Sequence, residues 1–110
     1  MYKLEYSEPF NVDIDSARNY IRNILKAPIA SRNLTKLTIK MLNQLEIMPF
    51  SRALVDDDDL SSKGVRSMLV KDYLIIYKIN ENKMIVNLIR FLHATSDWMN
   101  ILKEDIDEDS

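Results

Sequence analysis

The chain has 110 residues, 46% of them hydrophobic and 29% charged. Such a composition suits one globular domain and leaves little area for a second core. It has no cysteine, one histidine (His93) and one glycine (Gly64). Disulfides, thiolate nucleophiles, His-cluster metal sites and glycine-rich phosphate loops are thereby excluded. The formal charge of −2 divides unevenly. Five of the 17 acids are Glu104, Asp105, Asp107, Glu108 and Asp109; without them 15 cations face 12 acids, or +3. Setting aside the run Asp56–Asp59 as well leaves 15 against 8, a body of +7. A basic body fits a polyanionic partner. The reading in units is one domain over 1–103 and an acidic, disordered tail over 104–110.

Tyr2–Tyr6 alternates apolar and polar residues, the pattern of a short strand with one buried face. Ser7 offers an N-cap oxygen, with Glu8 and Pro9 in the first turn of a helix. Phe10, Ile14, Ala17, Ile21, Ile24 and Leu25 then recur at helical spacing. The Lys26-Ala27-Pro28 step stops that helix, because the residue before proline avoids the helical region. A second helix starts at Pro28, with the stripe Ala30, Leu34, Leu37, Met41, Leu45 and Met48, and Pro49 closes it. So short a connection makes the two an antiparallel hairpin. Residues 50–64, with the Asp run, two serines and Gly64, read as an exposed loop. Strands follow at Val65–Val70, Tyr73–Ile79 and Met84–Leu92, joined by tight turns. The last is apolar on both faces over Met84-Ile85-Val86, as a covered central strand would be. Thr95 or Ser96 caps a short terminal helix reaching about Leu102. The order β-α-α-β-β-β-α predicts an α+β fold, with the helix hairpin on one face of a mostly antiparallel four-stranded sheet.

No apolar run approaches the ~20 residues of a spanning helix, and Met1–Glu5 lacks the apolar stretch of a signal peptide. The expectation is a cytoplasmic protein with no membrane partner.

The stretch Gly64-Val65-Arg66-Ser67-Met68-Leu69-Val70-Lys71-Asp72-Tyr73-Leu74-Ile75-Ile76-Tyr77 resembles the RelE/ParE toxins of bacterial type II toxin–antitoxin systems. That family has a glycine, an arginine-bearing strand, a tight turn and a Tyr-x-x-x-Tyr strand. Ile89-Arg90-Phe91-Leu92-His93 followed by Asp97-Trp98 is similar to the family's closing strand, and the element order agrees from residue 2 to about 102. The resemblance implies a toxin held inactive by a cognate antitoxin. It leaves two activities open: RelE-like cleavage of mRNA on the ribosome, taken first, or ParE-like inhibition of DNA gyrase without hydrolysis. A catalytically degenerate, antitoxin-binding member is a third outcome. Metal-free chemistry fits the family, and neither a metal nor an organic cofactor is expected.

Cleavage of RNA by its own 2′-hydroxyl needs a base, a cation on the charged phosphorane and an acid at the leaving oxygen. Arg66 matches a phosphate-stabilising arginine of the nuclease branch, and a guanidinium suits phosphate oxygens. Arg90 matches a second strand arginine. His93 is the one side chain whose ordinary pKa lies near neutrality. Glu46 falls where one branch of the family keeps a catalytic glutamate. For contact with RNA, the candidates are the stripe Arg32, Lys36 and Lys40 and the strand tyrosines Tyr73 and Tyr77. One departure favours the gyrase reading: between His93 and Lys103 there is neither a tyrosine nor a basic residue. The body's charge predicts an acidic amphipathic antitoxin segment lying across the helices or the Arg66/Arg90 region. The acidic tail is a weak internal competitor for that surface.

Overall fold

A computed structural model describes the backbone of residues 1–109 and the side chains of residues 1–105. Strand β1 (Lys3–Tyr6) leads into helix α1 (Glu8–Asn19), which continues as a π-helical turn over Tyr20–Ile24. Ser7 is the N-cap, its hydroxyl oxygen accepting the Phe10 N–H at 3.1 Å. Helix α2 (Pro28–Ile47) runs back along α1 and ends in a 3-10 turn, Pro49–Ser51. Then come a short helix α3 (Asp58–Ser62), strands β2 (Arg66–Val70), β3 (Tyr73–Asn80) and β4 (Ile85–His93), and helix α4 (Trp98–Asp109).

The four strands form one sheet in the order β1-β4-β3-β2. β4 is central and pairs antiparallel with β3, while β1 pairs with it parallel, Lys3 beside Ile85 and Tyr6 beside Leu88. The sheet is therefore mixed and mostly antiparallel, as expected. Phe10, Leu34, Leu42 and Leu45 of the hairpin pack on Met68, Tyr77, Val86 and Phe91 of one sheet face.

Five sequence expectations change. The α1 stripe holds through Ile21, but Ile24 and Leu25 are exposed. A π-turn takes more residues per revolution than an α-turn, which rotates the two outward. Met48 and Ala30 are also exposed, so the α2 stripe is narrower than its spacing implied. Met84 lies outside β4, in the β3–β4 turn, with φ at 55°.

The fourth change concerns residues 50–64. Asp57, expected in a solvated loop, caps α3 by accepting the Leu60 N–H at 3.0 Å. Asp58 and Asp59 occupy its first turn, where carboxylates face the positive end of the helix. Gly64, at φ 82°, follows the helix; its N–H donates to the Ser61 carbonyl and the Val65 N–H to that of Leu60. That is the glycine-terminated helix end in which both bonds satisfy otherwise orphaned carbonyls. Leu60 is thus carried into a second buried cluster with Val55, Val65, Ile76 and Leu102, flanked by Trp98 and Met99, on the opposite face of the sheet. The expected shortage of area for a second core is corrected by this pairing of α3 with α4.

Helix α4 also crosses the boundary expected at 103/104. Asp105 lies in it and is bonded to Arg90, so the folded body reaches at least that residue. The rest of the expected disordered tail lies outside the residues whose side chains are described, and Ser110 outside the described residues altogether.

Candidate functional site

The candidate residues fall into separate places. Arg66 pairs with Tyr77 across β2 and β3, on the hairpin face near the end of α2. Its Nη1 donates to the Arg52 carbonyl, and its guanidinium lies 5.2 Å from the centre of the Phe50 ring, a cation–π distance. Phe50 and Arg52 come from the 3-10 turn and the residue after it; their sequence carried no recognised signal. Tyr77 is fully buried and donates its hydroxyl to the Pro49 carbonyl at 2.9 Å. Burial pushes its phenol above the ordinary tyrosine range. That corrects its expected role, because a fully buried ring offers no face to a base.

His93 closes β4 beside Tyr73. The ring centroids are 5.2 Å apart and edge-on, and Tyr73 stacks in parallel on Phe91 at 5.0 Å. The imidazole is exposed, and its Nδ1 meets the Thr95 hydroxyl at 2.8 Å. Tyr73 is partly buried, and burial raises its phenol as well. Arg66 and His93 are four residues apart along β3 and two strands apart across it. With ordinary strand geometry that is about 13 Å along the sheet and about 10 Å across.

Arg90 is taken up by carboxylates on both sides. Its Nε and Nη2 donate to the two oxygens of Asp13 on α1 at 2.7 and 2.9 Å, and its Nη1 to Asp105 on α4 at 2.9 Å. The two acids hold the guanidinium's pKa above even its ordinary value. The sheet explains why Asp13 is there. β1 stops at Tyr6, and the β3–β4 register shifts between Ile76 and Tyr77, a bulge that leaves Ile89 unpaired. Ser7 donates its hydroxyl to the Ile89 carbonyl at 2.8 Å, and Asp13 accepts the Phe91 N–H at 3.0 Å. One carboxylate therefore seals the open stretch of β4 and holds Arg90. Sequence reading singled out Arg90 but not Asp13, since nothing local marks an acid on α1 as the partner of a residue 77 positions away.

Glu46 sits in the last turn of α2. Its carbonyl accepts the Tyr2 N–H at 2.8 Å. The Tyr6 phenol is raised first by burial and then by the Glu46 charge nearby. Among the described residues no ion pair or hydrogen bond joins the Glu46 carboxylate to Arg66, Arg90 or His93. Arg32, Lys36 and Lys40 do form the expected exposed stripe along α2. Among the described residues there is no group of three His, Asp or Glu placed to hold a metal, and no helix is long and apolar enough to cross a membrane.

The model of the ParE toxin of the type II toxin–antitoxin system parDE matches residues 4–98. The chain belongs to the ParE toxin family. Among solved structures, the chromosomal ParDE toxin–antitoxin system of P. aeruginosa superimposes with a TM-score of 0.67 at 11% identity, covering 84% of this chain and 96% of the other. The RelBE2 toxin–antitoxin complex of Mycobacterium tuberculosis does so with a TM-score of 0.58 at 14% identity, with the same two coverages. At such identities the likeness is one of fold. No curated protein sequence matches the chain. The ParE family assignment confirms the resemblance read from Gly64–Tyr77 and Ile89–His93.

Proposed function

We propose that this toxin acts by gripping its target and not by cleaving RNA, and that its target is DNA gyrase, the alternative the family resemblance implied. The observation that carries the reading is the dispersal of the expected nuclease groups. General acid–base work needs groups within about 2.6–3.2 Å of the proton they move. Arg66 is turned onto Arg52 and Phe50, His93 stands at the far end of β4, and Arg90 is neutralised by Asp13 and Asp105. No single phosphate lies within hydrogen-bond reach of all three as they stand. Membership of the ParE family supports the same reading. The basic stripe Arg32, Lys36 and Lys40 gives the toxin an electrostatic face toward a polyanionic complex such as gyrase with DNA. The toxin works in the cytoplasm and is neutralised there by a cognate antitoxin.

The decisive experiment runs purified protein in two assays, gyrase supercoiling and in-vitro translation with mapping of mRNA ends. Supercoiling should be lost at intact mRNA. His93→Gln should inhibit gyrase like the parent. Cleaved mRNA that becomes intact with His93→Gln or Arg66→Ala would overturn the proposal and restore the endonuclease.

A further inference from the structure

The outer edge of the sheet ends in a short segment whose free side neither the fold nor the proposed activity uses. The strand order stops at β2. Beyond it runs Arg52-Ala53-Leu54-Val55-Asp56, in which Leu54 forms an antiparallel bridge with Arg66. The Val55 N–H donates to the Val65 carbonyl at 3.0 Å. Successive residues of an antiparallel ladder turn their N–H and C=O to opposite edges. Leu54 therefore points both groups away from β2, and neither has a partner among the described residues.

Side chains alternate too. Val55 is buried in the α3–α4 cluster, so Leu54 lies on the hairpin face with Arg66 opposite it. Arg52, extended at φ −111° and ψ 145°, shares that face, where its charge and that of Arg66 both reach the Tyr77 phenol. Beside them Met48, Phe50 and Leu54 are 63%, 48% and 43% exposed. Asp57, Asp58 and Asp59 serve α3 as its cap and first turn, whereas Asp56 precedes it and is exposed. Neither Asp56 nor Arg52 has an ion-pair partner among the described residues.

A cation, a leucine and an anion at alternate positions form a pattern that is its own complement. Two copies paired antiparallel about a two-fold axis at Leu54 exchange both Leu54 hydrogen bonds. The same register sets Arg52 of each copy opposite Asp56 of the other. Centred on Arg52 or on Asp56 instead, the pairing would put like charges face to face, which disfavours those registers. An acidic peptide would satisfy Arg52 and confront Asp56, and a basic one would do the reverse. A nucleic-acid backbone would meet the acids of α3 as well.

We propose that this edge is a self-association surface, through which two copies of the chain pair along residues 52–56 and join their sheets. Both helix hairpins then lie on one side of the joined sheet, so the dimer carries two basic stripes and is bivalent toward a polyanionic target. The inference does not rest on the gyrase reading.

Sedimentation velocity of the full chain tests it from about 1 to 500 µM, the range suited to an interface at the small end of the size scale. Wild type should pass from monomer to dimer. Arg52→Glu and Asp56→Arg should each weaken the dimer about tenfold or more, because the two-fold makes both charge pairs repulsive. An equimolar mixture of the two variants restores both pairs in the heterodimer, and Arg52→Glu combined with Asp56→Arg restores them with the signs exchanged. Each should dimerise nearly as wild type does. Leu54→Lys, at an exposed position, sets two ammonium groups on the axis and should leave a folded monomer. Wild type that stays monomeric throughout overturns the proposal. So does a dimer indifferent to every variant, which pairs elsewhere, and so do losses in the single variants that neither the mixture nor the double variant recovers. Wild type that is monomeric alone, with an antitoxin complex that Asp56→Arg weakens, would give the edge to that partner and overturn the proposal as well.

Discussion

On one face of the sheet, α1 and α2 close a cluster of twelve buried residues, from Phe10 to Phe91; on the other, α3 and α4 close one of five. The larger cluster is held by apolar contact along two long helices. The smaller one is helped by charges: Asp105 of α4 on Arg90, and Lys103 of α4 on Asp57, at 2.9 Å each. Apolar area scales with stabilisation at about 25 cal/mol per Å², whereas exposed ion pairs contribute about 0–1 kcal/mol. The hairpin face should therefore set the stability of the whole, and the α4 face should open more readily. The two faces meet at Arg90, which touches α1 through Asp13 and α4 through Asp105.

The largest expected effect comes from breaking that junction. Asp13→Ala leaves a mostly buried guanidinium short of its main partner and orphans the Phe91 N–H. Removing one member of a buried pair costs about 3–5 kcal/mol. A fall in melting temperature of more than about 10 °C is expected, seen equally by probes on both faces. A fall confined to α4 would place the junction on the weaker face only.

Next come matched truncations. Leu45 and Leu102 are both fully buried, one on each face. Leu45→Ala should cost about 2–5 kcal/mol and lower the single melting transition. Leu102→Ala should instead free α4 locally. Trp98, the chain's one tryptophan, flanks that cluster, so its emission should shift to the red while amides of β3 and β4 stay protected from exchange. Equal loss of protection in the sheet from both variants would erase the distinction between the faces.

The same two faces explain what the sequence made legible. The hairpin face repeats its apolar residues at helical spacing over Phe10–Ile21 and Leu34–Leu45, and periodicity is the signal sequence carries best. The α4 face is built from Val55, Leu60, Val65 and Leu102, too sparse to show a period. Asp57 as cap and Gly64 seven residues later did bracket a helix, but the acidic run and two serines between them read as solvent-facing. For the candidate site, the residue types were legible and their meeting was not. Arg66, Arg90 and His93 lie on the strands expected of them. A bulge, a 3-10 turn and the carboxylate of Asp13 decide where each guanidinium goes, and those are tertiary facts. Ile24 and Leu25 fit an α-helical stripe that a π-turn then rotated away.

Smaller still should be the loss from Asp105→Ala, about 1 kcal/mol, because Asp105 is a third exposed and Asp13 remains on Arg90. It should loosen α4 and spare the hairpin, with Trp98 emission as the readout. If it destabilises as much as Asp13→Ala, Arg90 belongs to the α4 face and not to both.

The smallest effect is a pH dependence confined to the α3–α4 contact. The Leu60 N–H and then Lys103 hold the Asp57 carboxyl below its usual range, and Asp57 in turn holds the Lys103 ammonium above its own. A depressed carboxyl contributes fully above its unfolded value, about 3.9, and loses that contribution as pH falls through the lower folded value. A raised lysine contributes fully below about 10.4 and loses it as pH rises through the higher folded value. Between these limits the contact should be insensitive to pH. Trp98 emission should hold steady from about pH 5 to 9 and change on acidification below about pH 4, before the sheet melts. Lys103→Met should move that acid midpoint upward by a little only, since the backbone N–H of Leu60 is the larger cause of the shift. Asp57→Asn should remove the dependence, because an amide does not titrate in this range while its oxygen still caps α3. If the Trp98 change in Asp57→Asn keeps the wild-type midpoint, another acid governs the opening of this face, and the charge clasp between α3 and α4 has no part in it.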